Sequence, residues 1–387
     1  MKTQVMVGTV RFDTPLLLAS GFITETPNFF LRAKPLGCSG IITRSLKEHV
    51  PPERSRIPAP RYAIHAQTSM LNCEWGNERP WRTWLEGGAQ QVQATGSPIV
   101  ISLSGRDPEG CARLMSAFDA IGVDAFEINV SCSHSGALHG NLNVDLEHLR
   151  HLMGVIRKAT NTPLWIKLSY STHLVAMGRI AEELGADALV CTNSVGPGML
   201  IDTGTARPQV GIEGGGGGLT GEAIFPIALW CVHQLANAVR IPIVGTGGIA
   251  TGDHVVQMLM AGASAVELYT APALKGPRVF RNVMRQLGNF METHPEYDSV
   301  AALTGRTAPY TAEHDFTAPV PRVIAENCTG CELCIESCAF GAIDMVERPG
   351  RKQLAVINDA CISCNACVGA CPPKWGAIEA VFKETST

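Results

Sequence analysis

Eight short apolar runs, separated by amphipathic segments, recur from Leu16 to about Met291. The runs span residues 16–21, 40–44, 98–105, 125–132, 163–169, 187–194, 241–248 and 265–271. Helical patterns lie between most of them, for example over residues 108–121, 146–159, 173–184 and 252–261. This alternation predicts repeated βα units on a parallel sheet. Because an open doubly wound sheet usually needs fewer strands, eight units favour an α/β fold of the (β/α)₈ TIM barrel type.

A barrel of this kind collects its functional residues at the carboxyl ends of the strands, where the loops form the open face. Polar or small residues stand at those positions in this chain. They are Ser20, Thr43, Arg44, Ser104, Asn129, Cys132, Lys167, Thr192, Asn193, Ser194 and Gly247. Each alone is explained by capping or by a turn. Together they predict a lined pocket.

The fourth run continues into residues 127–134, where a short buried strand opens into a polar loop. This stretch brings Asn129, Cys132 and His134 to one place. Two interpretations of Cys132 stay open from the residues alone. It is either a catalytic thiol or a small buried hydrophobic residue.

Glycine-rich segments follow several of the runs. Residues 245–249 and 269–271 end the seventh and eighth strands, where backbone amides usually bind phosphate in this barrel. Residues 213–221 predict a flexible segment before a helix that starts near Glu222, either an anion cradle or a mobile loop. The long excursion over residues 48–97 predicts a cover for the site. No Gly-x-Gly-x-x-Gly spacing follows the first strand, so direct binding of a nicotinamide cofactor is not expected.

Two cysteine runs after residue 322 are the most specific motif of the chain. They read Cys328-x-x-Cys331-x-x-Cys334-x-x-x-Cys338 and Cys361-x-x-Cys364-x-x-Cys367-x-x-x-Cys371-Pro. This is the two-cluster ferredoxin pattern, in which three thiolates of each run hold one 4Fe–4S cluster and the fourth ligates the other. We therefore assign one cluster to Cys328, Cys331, Cys334 and Cys371, and the second to Cys361, Cys364, Cys367 and Cys338. Eight zinc-binding or free thiols are the disfavoured alternative.

Composition narrows the class of protein further. A formal net charge of −4 gives no basic surface for nucleic acid, and no Lys/Arg run suggests a membrane surface. The start lacks a signal-peptide pattern and the cysteines are clustered as for metal, so we expect a cytoplasmic chain. Loss of the alternation predicts a catalytic TIM barrel domain at 1–300, a linker at 301–322 and a ferredoxin-like domain at 323–387.

The barrel half resembles the flavin-dependent dihydroorotate and dihydropyrimidine dehydrogenases from about residue 5 to 295, and the tail resembles the ferredoxin segment of dihydropyrimidine dehydrogenase. The order and spacing of the shared motifs are far more specific than any one of them. The motifs are Ala19-Ser-Gly21, Thr43-Arg-Ser45, Leu71-Asn72, Asn129-Val-Ser-Cys132, Lys167-Leu-Ser169, Thr192-Asn-Ser194, Gly221 with Pro226, Gly247-Gly-Ile249 and Tyr269-Thr-Ala271.

The resemblance implies an FMN across the barrel mouth. The cofactor-binding residues it points to are Ala19, Gly21, Thr43, Arg44, Lys167, Thr192, Gly221, Gly247, Gly248, Tyr269 and Thr270. Among these, the last four match the phosphate site, and Lys167 supplies a positive charge that favours the reduced flavin. Arg44 departs from the lysine that the family usually has beside the flavin.

The same resemblance implies a site that reads an amide-rich ring through amides and hydroxyls. Its substrate-binding residues are Asn72, Asn129, His134, Asn193 and Ser194. Cys132 matches the proton donor or acceptor of the family. A serine at position 133 replaces a proline of the family, and residues 135–141 differ from both branches.

Within the family, His134 and the Leu-Asn-Cys-Glu form of residues 71–74 favour the dihydropyrimidine branch. The predicted function is therefore FMN-dependent reduction of an activated C=C bond in a pyrimidine-like ring, from uracil or thymine to the dihydro form. The alternatives are a dihydroorotate dehydrogenase and an ene-reductase acting on another unsaturated cyclic substrate. From other classes, tRNA uridine reduction needs a basic RNA surface, and a pure electron-transfer subunit needs no ring-reading amides.

Electrons are expected to reach FMN through the two 4Fe–4S clusters. Since no dinucleotide motif is present, the expected electron partner is a separate FAD and NAD(P)H-binding subunit or a ferredoxin. We further expect a small-molecule substrate, no nucleic acid, no membrane, and association of the chain into a homo-oligomer.

Replacing Cys132 by alanine is expected to leave FMN bound and reducible while substrate turnover falls by about 10²–10⁴-fold, the usual contribution of a general acid or base. The thiol has an ordinary pKa of about 8.5, so it is mostly protonated at neutral pH and ready to act as an acid. Flavin reduction and steady-state turnover are compared in the same preparation. Unchanged turnover in Cys132→Ala would remove this thiol from the mechanism.

Overall fold

A closed barrel of eight parallel strands forms the centre of the first part of the chain in the computed structural model. The structure describes residues 2–48, 61–73, 77, 79–131, 142–210, 216–307 and 319–382. It divides into two units, residues 1–308 and 309–387.

The strands of the first unit are bounded as follows. They are β1 (Val5–Val7), β2 (Val10–Phe12), β3 (Leu16–Leu18), β4 (Gly40–Ile42), β5 (Tyr62–His65), β6 (Ser69–Asn72), β7 (Ile99–Ser104), β8 (Ala125–Asn129), β9 (Leu164–Leu168), β10 (Ala188–Cys191), β11 (Val195–Gly198), β12 (Ile201–Asp202), β13 (Arg207–Pro208), β14 (Gly217–Gly221), β15 (Ile243–Thr246) and β16 (Ala263–Leu268).

The α-helices described in this unit lie mostly between the strands. They are α1 (Asn28–Ala33), α2 (Ala89–Gln93), α3 (Pro108–Asp119), α4 (Leu146–Ala159), α5 (Leu174–Glu183), α6 (Phe225–Ala236), α7 (Gly252–Met260), α8 (Thr270–Lys275) and α9 (Arg278–Thr293). Polar side chains start three of them: Asp107 accepts from the Gly110 amide, Asp145 from His148 and Thr251 from His254. Each such cap satisfies an amide that has no partner inside its helix.

The predicted barrel is confirmed. Its strands follow the order β10-β15-β16-β3-β4-β7-β8-β9, and the ring closes through the parallel pair β9 and β10. Both faces of these strands are buried, which explains why they read as apolar runs and not as alternating ones. Charged side chains inside such strands are exceptions, and three of them define the site described below.

A hairpin of β1 and β2 precedes the barrel. Its Phe12 is fully buried and its ring centroid lies 6.2 Å from that of Trp165, near the amino end of β9. The hairpin therefore packs at the amino ends of the strands. The carboxyl ends are left for the site.

A four-stranded antiparallel sheet in the order β11-β14-β6-β5 lies outside the barrel ring. It corrects one prediction. The described part of the glycine-rich segment, β14, is not a flexible turn but a strand whose residues 218–221 pair with residues 69–72 of β6. The pairing satisfies its backbone amides, and at Gly217 an added Cβ would lie 2.8 Å from the Asn72 carbonyl oxygen, so the glycine permits a close approach of two strands. The predicted helix after it is confirmed, with a 3₁₀ turn at Glu222–Ile224 that leads into α6.

The second unit contains two small antiparallel sheets and two short helices in its described residues. The elements are β17 (Val320–Val323), α10 (Leu333–Glu336), β18 (Ile343–Arg348), β19 (Arg351–Ile357), α11 (Ala366–Ala370) and β20 (Ile378–Val381). Strand β17 pairs with β20, and β18 pairs with β19. The predicted linker was too long at its end, because Pro321 lies in β17. A two-stranded ribbon leaves one edge of each strand free, so a residue without an N–H is tolerated there.

No helix in the described residues is long and apolar enough to cross a membrane.

Candidate functional site

A cleft of about 510 Å³, open solvent included, lies at the carboxyl ends of the barrel strands. Eleven residues that the sequence singled out for the site line it. They are Ala19, Ser20, Lys167, Thr192, Asn193, Ser194, Gly221, Gly247, Gly248, Tyr269 and Thr270.

Three buried ionisable side chains meet at the base of this cleft. The Lys167 Nζ lies 3.1 Å from an oxygen of Glu127 and 3.1 Å from an oxygen of Glu267. These side chains come from β9, β8 and β16, and β16 lies on the opposite side of the ring from β8. The contact therefore runs across the barrel interior. We call Glu127, Lys167 and Glu267 the ion cluster.

The pKa values in the ion cluster follow from its burial and its two-to-one charge ratio. Burial would lower the pKa of Lys167, but the carboxylates of Glu127 and Glu267 outweigh it, so the pKa is raised and the lysine stays charged. For Glu267, burial raises the pKa, Lys167 lowers it and Glu127 raises it again, which leaves it at about 8. One cation cannot fully compensate two carboxylates in a dry interior. Glu267 is thus the member that holds a proton near neutral pH.

A chain of hydrogen bonds links the ion cluster to the predicted ring-binding amides. Glu127 Oε1 accepts from the Ser102 hydroxyl (2.9 Å), which lies 3.0 Å from the Ser45 hydroxyl. Asn129 Nδ2 then donates to Ser45 (3.2 Å). Such a network fixes the orientation of each polar group in it.

The amide side of the network ends on Asn193. Its Nδ2 donates to Asn129 Oδ1 (3.2 Å) and lies 3.1 Å from the Ser131 hydroxyl. Its Oδ1 accepts from the Ser194 amide (2.8 Å). Residues from β8 and from the loop after β10 are therefore held together, and Asn193 of this group lines the cleft.

The glycines after β15 shape one wall of the cleft. Gly247 and Gly248 both have positive φ, 110° and 78°. An added Cβ on Gly248 would lie 2.7 Å from Phe225 Cβ, so only glycine fits both the conformation and the space. Beside it, the first amides of α8 have no acceptor within their own helix. A bare backbone next to such amides suits a phosphate, and the buried Oε1 of Glu267, which has no hydrogen-bond partner in the described part of the chain, suits a polar ligand. These residues fit FMN.

Six other predicted residues are not among those lining the cleft: Gly21, Thr43, Arg44, Asn72, Ser104 and Asn129. Gly21 packs under Tyr269, where an added Cβ would lie 2.0 Å from the ring. The Thr43 hydroxyl accepts from the Ser102 amide (2.9 Å), which is a contact between strands. Asn72 ends β6 and donates to the Gly218 carbonyl (3.2 Å). Both Thr43 and Asn72 thus have partners within the protein.

Arg44, predicted beside the flavin, lies in a nearly buried ion pair. Its Nη1 is 2.9 Å from Glu25 Oε2, and the Arg44 side chain is 6% exposed. The same Glu25 accepts from the Arg79 amide (2.7 Å). The structure thus directs this guanidinium toward a carboxylate of its own chain.

Cys132 and His134 lie outside the described residues. The described cysteines of the barrel unit are Cys38, Cys73, Cys111, Cys191 and Cys231, and all are buried. Burial raises the pKa of Cys38, Cys111 and Cys191, the last also through its contact with Cys231. Such thiols stay protonated and are inert packing groups.

The two sets of cysteines in the second unit surround two separate cavities. Cys328, Cys331, Cys334 and Cys371 line a cavity of about 350 Å³. The other cavity, of about 330 Å³, is lined by Cys338, Cys361, Cys364 and Cys367. The crossed arrangement is the one predicted from the spacing. Among the described residues, no group of three His, Cys, Asp or Glu is arranged to hold a single metal ion.

Backbone amides point at three of these sulfurs. Ala342 donates to Cys338 (3.3 Å), Ser363 to Cys361 (3.4 Å) and Ala377 to Cys371 (3.2 Å). Such N–H groups stabilise negative charge on cluster sulfurs and raise the reduction potential.

Sequence reasoning missed Glu267, Glu127, Ser45 and Ser102 as parts of the site. Glu267 and Glu127 did carry a signal, because each is a charged residue within an otherwise apolar strand. Pairing of β8 with β9 brings Glu127 to Lys167, and only the closed barrel brings Glu267 there.

A family model described as dihydroorotate dehydrogenase matches residues 2–291, and a 4Fe–4S dicluster domain model matches residues 327–375. A dihydroorotate dehydrogenase B (NAD(+)) catalytic subunit of Pyrococcus furiosus is 31% identical, over 79% of this chain and 98% of its own length. The protein of the same description from Methanothermobacter thermautotrophicus is 38% identical over 74% and 93%.

A putative dihydroorotate dehydrogenase A (fumarate) of Solibacter usitatus is 43% identical, over 73% of this chain and 91% of its own length. These relatives are matched almost in full by about three quarters of this chain. The remainder is close to the 79 residues of the second unit, which spans 309–387.

Replacing Lys167 by methionine is expected to cost about 3–5 kcal/mol, since it leaves two buried carboxylates without their cation. In the variant, Glu267 loses the cation that lowers its pKa, so this pKa rises further above its value in the unfolded chain, and the stability retained at acid pH is lost as pH rises. The loss is therefore larger at pH 8 than at pH 5. Unfolding of the holoprotein is followed by circular dichroism at both pH values.

The control is Lys158→Met on the exposed face of α4, which is expected to change stability by less than about 0.5 kcal/mol. A Lys167→Met protein that matches this control at both pH values would show that the cation does not compensate the carboxylates.

Proposed function

This chain belongs to the dihydroorotate dehydrogenase family, and on that premise we propose that its barrel oxidises dihydroorotate to orotate. It is an oxidoreductase that acts on CH–CH bonds, with FMN and two 4Fe–4S clusters as cofactors. Reduction of orotate would use the same groups, so the redox partner determines the direction of the reaction.

The observation that carries the proposal is a fixed pair of side-chain amides, Asn129 and Asn193, of which Asn193 lines the cleft. Asn129 and Asn193 hydrogen-bond to each other and to Ser131, and the chain through Ser45 and Ser102 ties them to the ion cluster. Side-chain amides offer a donor and an acceptor together, which complements a ring of alternating C=O and N–H groups. Because the network holds their orientation before the ligand arrives, little ordering is left to the binding step.

Oxidation of the ring removes a hydride from one carbon and a proton from its neighbour. Bound FMN supplies the acceptor of the hydride. The proton needs a base on the protein, and Cys132 is the residue that the family resemblance assigns to this role. Lys167 keeps its positive charge at the base of the cleft, where it stabilises negative charge that develops during the reaction.

The residues proposed to hold FMN are those that line the cleft. Gly247, Gly248, Tyr269 and Thr270 would hold the phosphate through backbone amides at the ends of β15 and β16. Ala19, Thr192 and Gly221 would contact the rest of the cofactor.

The second unit gives electrons a route that the matched relatives lack. Two-electron chemistry at the barrel must be converted to one-electron steps for 4Fe–4S clusters, and we propose that the cysteine sets given above ligate them. A separate protein then exchanges electrons with the clusters. The relatives named as catalytic subunits are by that name parts of larger assemblies, which supports a partner subunit here.

A second candidate is reduction of uracil or thymine. The second unit favours this candidate. The named relatives are matched almost in full without the second unit, and the second unit resembles the ferredoxin segment of dihydropyrimidine dehydrogenase. The two candidates differ in the substrate carboxylate, which orotate carries and uracil lacks.

Anaerobic mixing of the oxidised holoenzyme with dihydroorotate is expected to bleach the flavin absorbance at a rate that saturates with substrate. Dihydrouracil at the same concentrations serves as the matched comparison. Bleaching by dihydrouracil but not by dihydroorotate would replace the proposal with the second candidate. If neither compound bleaches the flavin, the substrate is another ring.

A further inference from the structure

The ion cluster contains a buried acceptor that has no use within the described protein. Glu267 is 1% exposed, and its Oε2 lies 3.1 Å from Lys167. Its other oxygen, Oε1, is buried and has no hydrogen-bond partner in the described part of the chain. A buried carboxyl oxygen left this way costs free energy, so it needs an explanation.

No group around Glu267 in the described part of the chain pairs with Oε1. The neighbouring strands place Thr246 and Leu17 opposite it, and neither carries a charge. The charged or titratable groups near it are Lys167 and Glu127 in the ion cluster, with Tyr269 and Glu222 elsewhere along the cleft. Glu222 faces Lys275 at 3.8 Å. Glu267 itself lines the cleft.

Charge balance gives the protonation state. Lys167 compensates one carboxylate, and Glu127 also accepts a hydrogen bond from Ser102. Glu267 lacks a second donor, so it is the carboxyl that holds the proton. Its burial, opposed by Lys167 and reinforced by Glu127, places its pKa at about 8.

We propose that Glu267 binds FMN as a neutral carboxylic acid, donating a hydrogen bond from Oε1 to an acceptor atom of the cofactor. A protonated carboxyl has one donor to offer, and flavin carries carbonyl and ring-nitrogen acceptors. Ionisation of Glu267 removes that donor and leaves the ion cluster with a net charge of −1 beside an anionic cofactor. FMN affinity is therefore linked to the proton on this residue. The inference rests on FMN binding and is independent of which ring the enzyme oxidises.

FMN binds the protonated form of Glu267 more tightly, and this preference fixes the direction in which FMN affinity changes with pH. Affinity is constant where Glu267 holds its proton and falls as pH rises through its pKa, by up to about tenfold per pH unit. The second ionisation of a phosphate group has a pKa of about 6. Measurements from pH 7 upward therefore avoid it.

The test measures the dissociation constant of FMN from the holoenzyme by the fluorescence of released flavin, from pH 7 to 9.5. In the wild-type protein the dissociation constant is expected to rise about tenfold between pH 8.5 and 9.5. In Glu267→Gln, which keeps the shape and a donor but cannot ionise, it should stay constant within about twofold. The control Glu183→Gln alters a carboxylate that is 66% exposed and should follow the wild type.

The same slope in the wild type and in Glu267→Gln, or no slope in the wild type, overturns the proposal. Infrared difference spectra of the wild-type holoenzyme, recorded between pH 7 and 9.5, give a second measurement that needs no variant. They should lose a carboxylic-acid carbonyl band as pH rises, and its absence at pH 7 also overturns the proposal. Neither result depends on dihydroorotate, so failure here and failure of the proposed substrate are separate outcomes.

Discussion

The site depends on the placement of one lysine between two glutamates inside a closed barrel. Burying a charge is costly unless it is paired, and Lys167 has one 3.1 Å contact from the neighbouring strand β8 and one from β16, across the ring. Because the ion cluster joins strands from two sides of the barrel, the site is complete only when the barrel is closed. The ion cluster also sets the charge at the base of the cleft, and hydrogen bonds through Ser102 and Ser45 connect it to the Asn129 amide, which we propose binds the ring.

The second unit differs from the barrel in what stabilises it. Its described hydrophobic core is small and consists largely of Cys334, Cys367 and a few aliphatic residues around the two cavities. A unit of 79 residues, from 309 to 387, with so little apolar material is expected to depend on its metal clusters for stability. The chain therefore combines a barrel stabilised by packing with a small unit stabilised by its cofactors. The family model that matches residues 2–291 covers the barrel alone.

Local signals predicted much of this architecture. Strands buried on both faces give apolar runs, and the cysteine spacing specified both the clusters and the crossed arrangement now seen around the cavities.

Contacts between distant residues were not predictable in the same way. Lys167 lies 40 residues from Glu127 and 100 from Glu267, and no local pattern joins them. The glycines of β14 predict a flexible turn when read locally. Their partner strand, β6, lies about 150 residues earlier in the chain. The family resemblance predicts Arg44 beside the flavin, whereas its pairing with Glu25 depends on the path of the loop after β3.

The central claim is that the ring chemistry of the barrel and the clusters of the second unit form one electron path. Electron paramagnetic resonance of the reduced 4Fe–4S clusters tests it most directly. The holoenzyme is reduced anaerobically with dithionite, freed of excess reductant and mixed with orotate or, in parallel, with uracil. The account predicts that the reduced-cluster signals disappear as the dihydro product forms, with one ring reduced for every two electrons lost. Signals that persist with both rings, while the flavin is reoxidised by either, would contradict it.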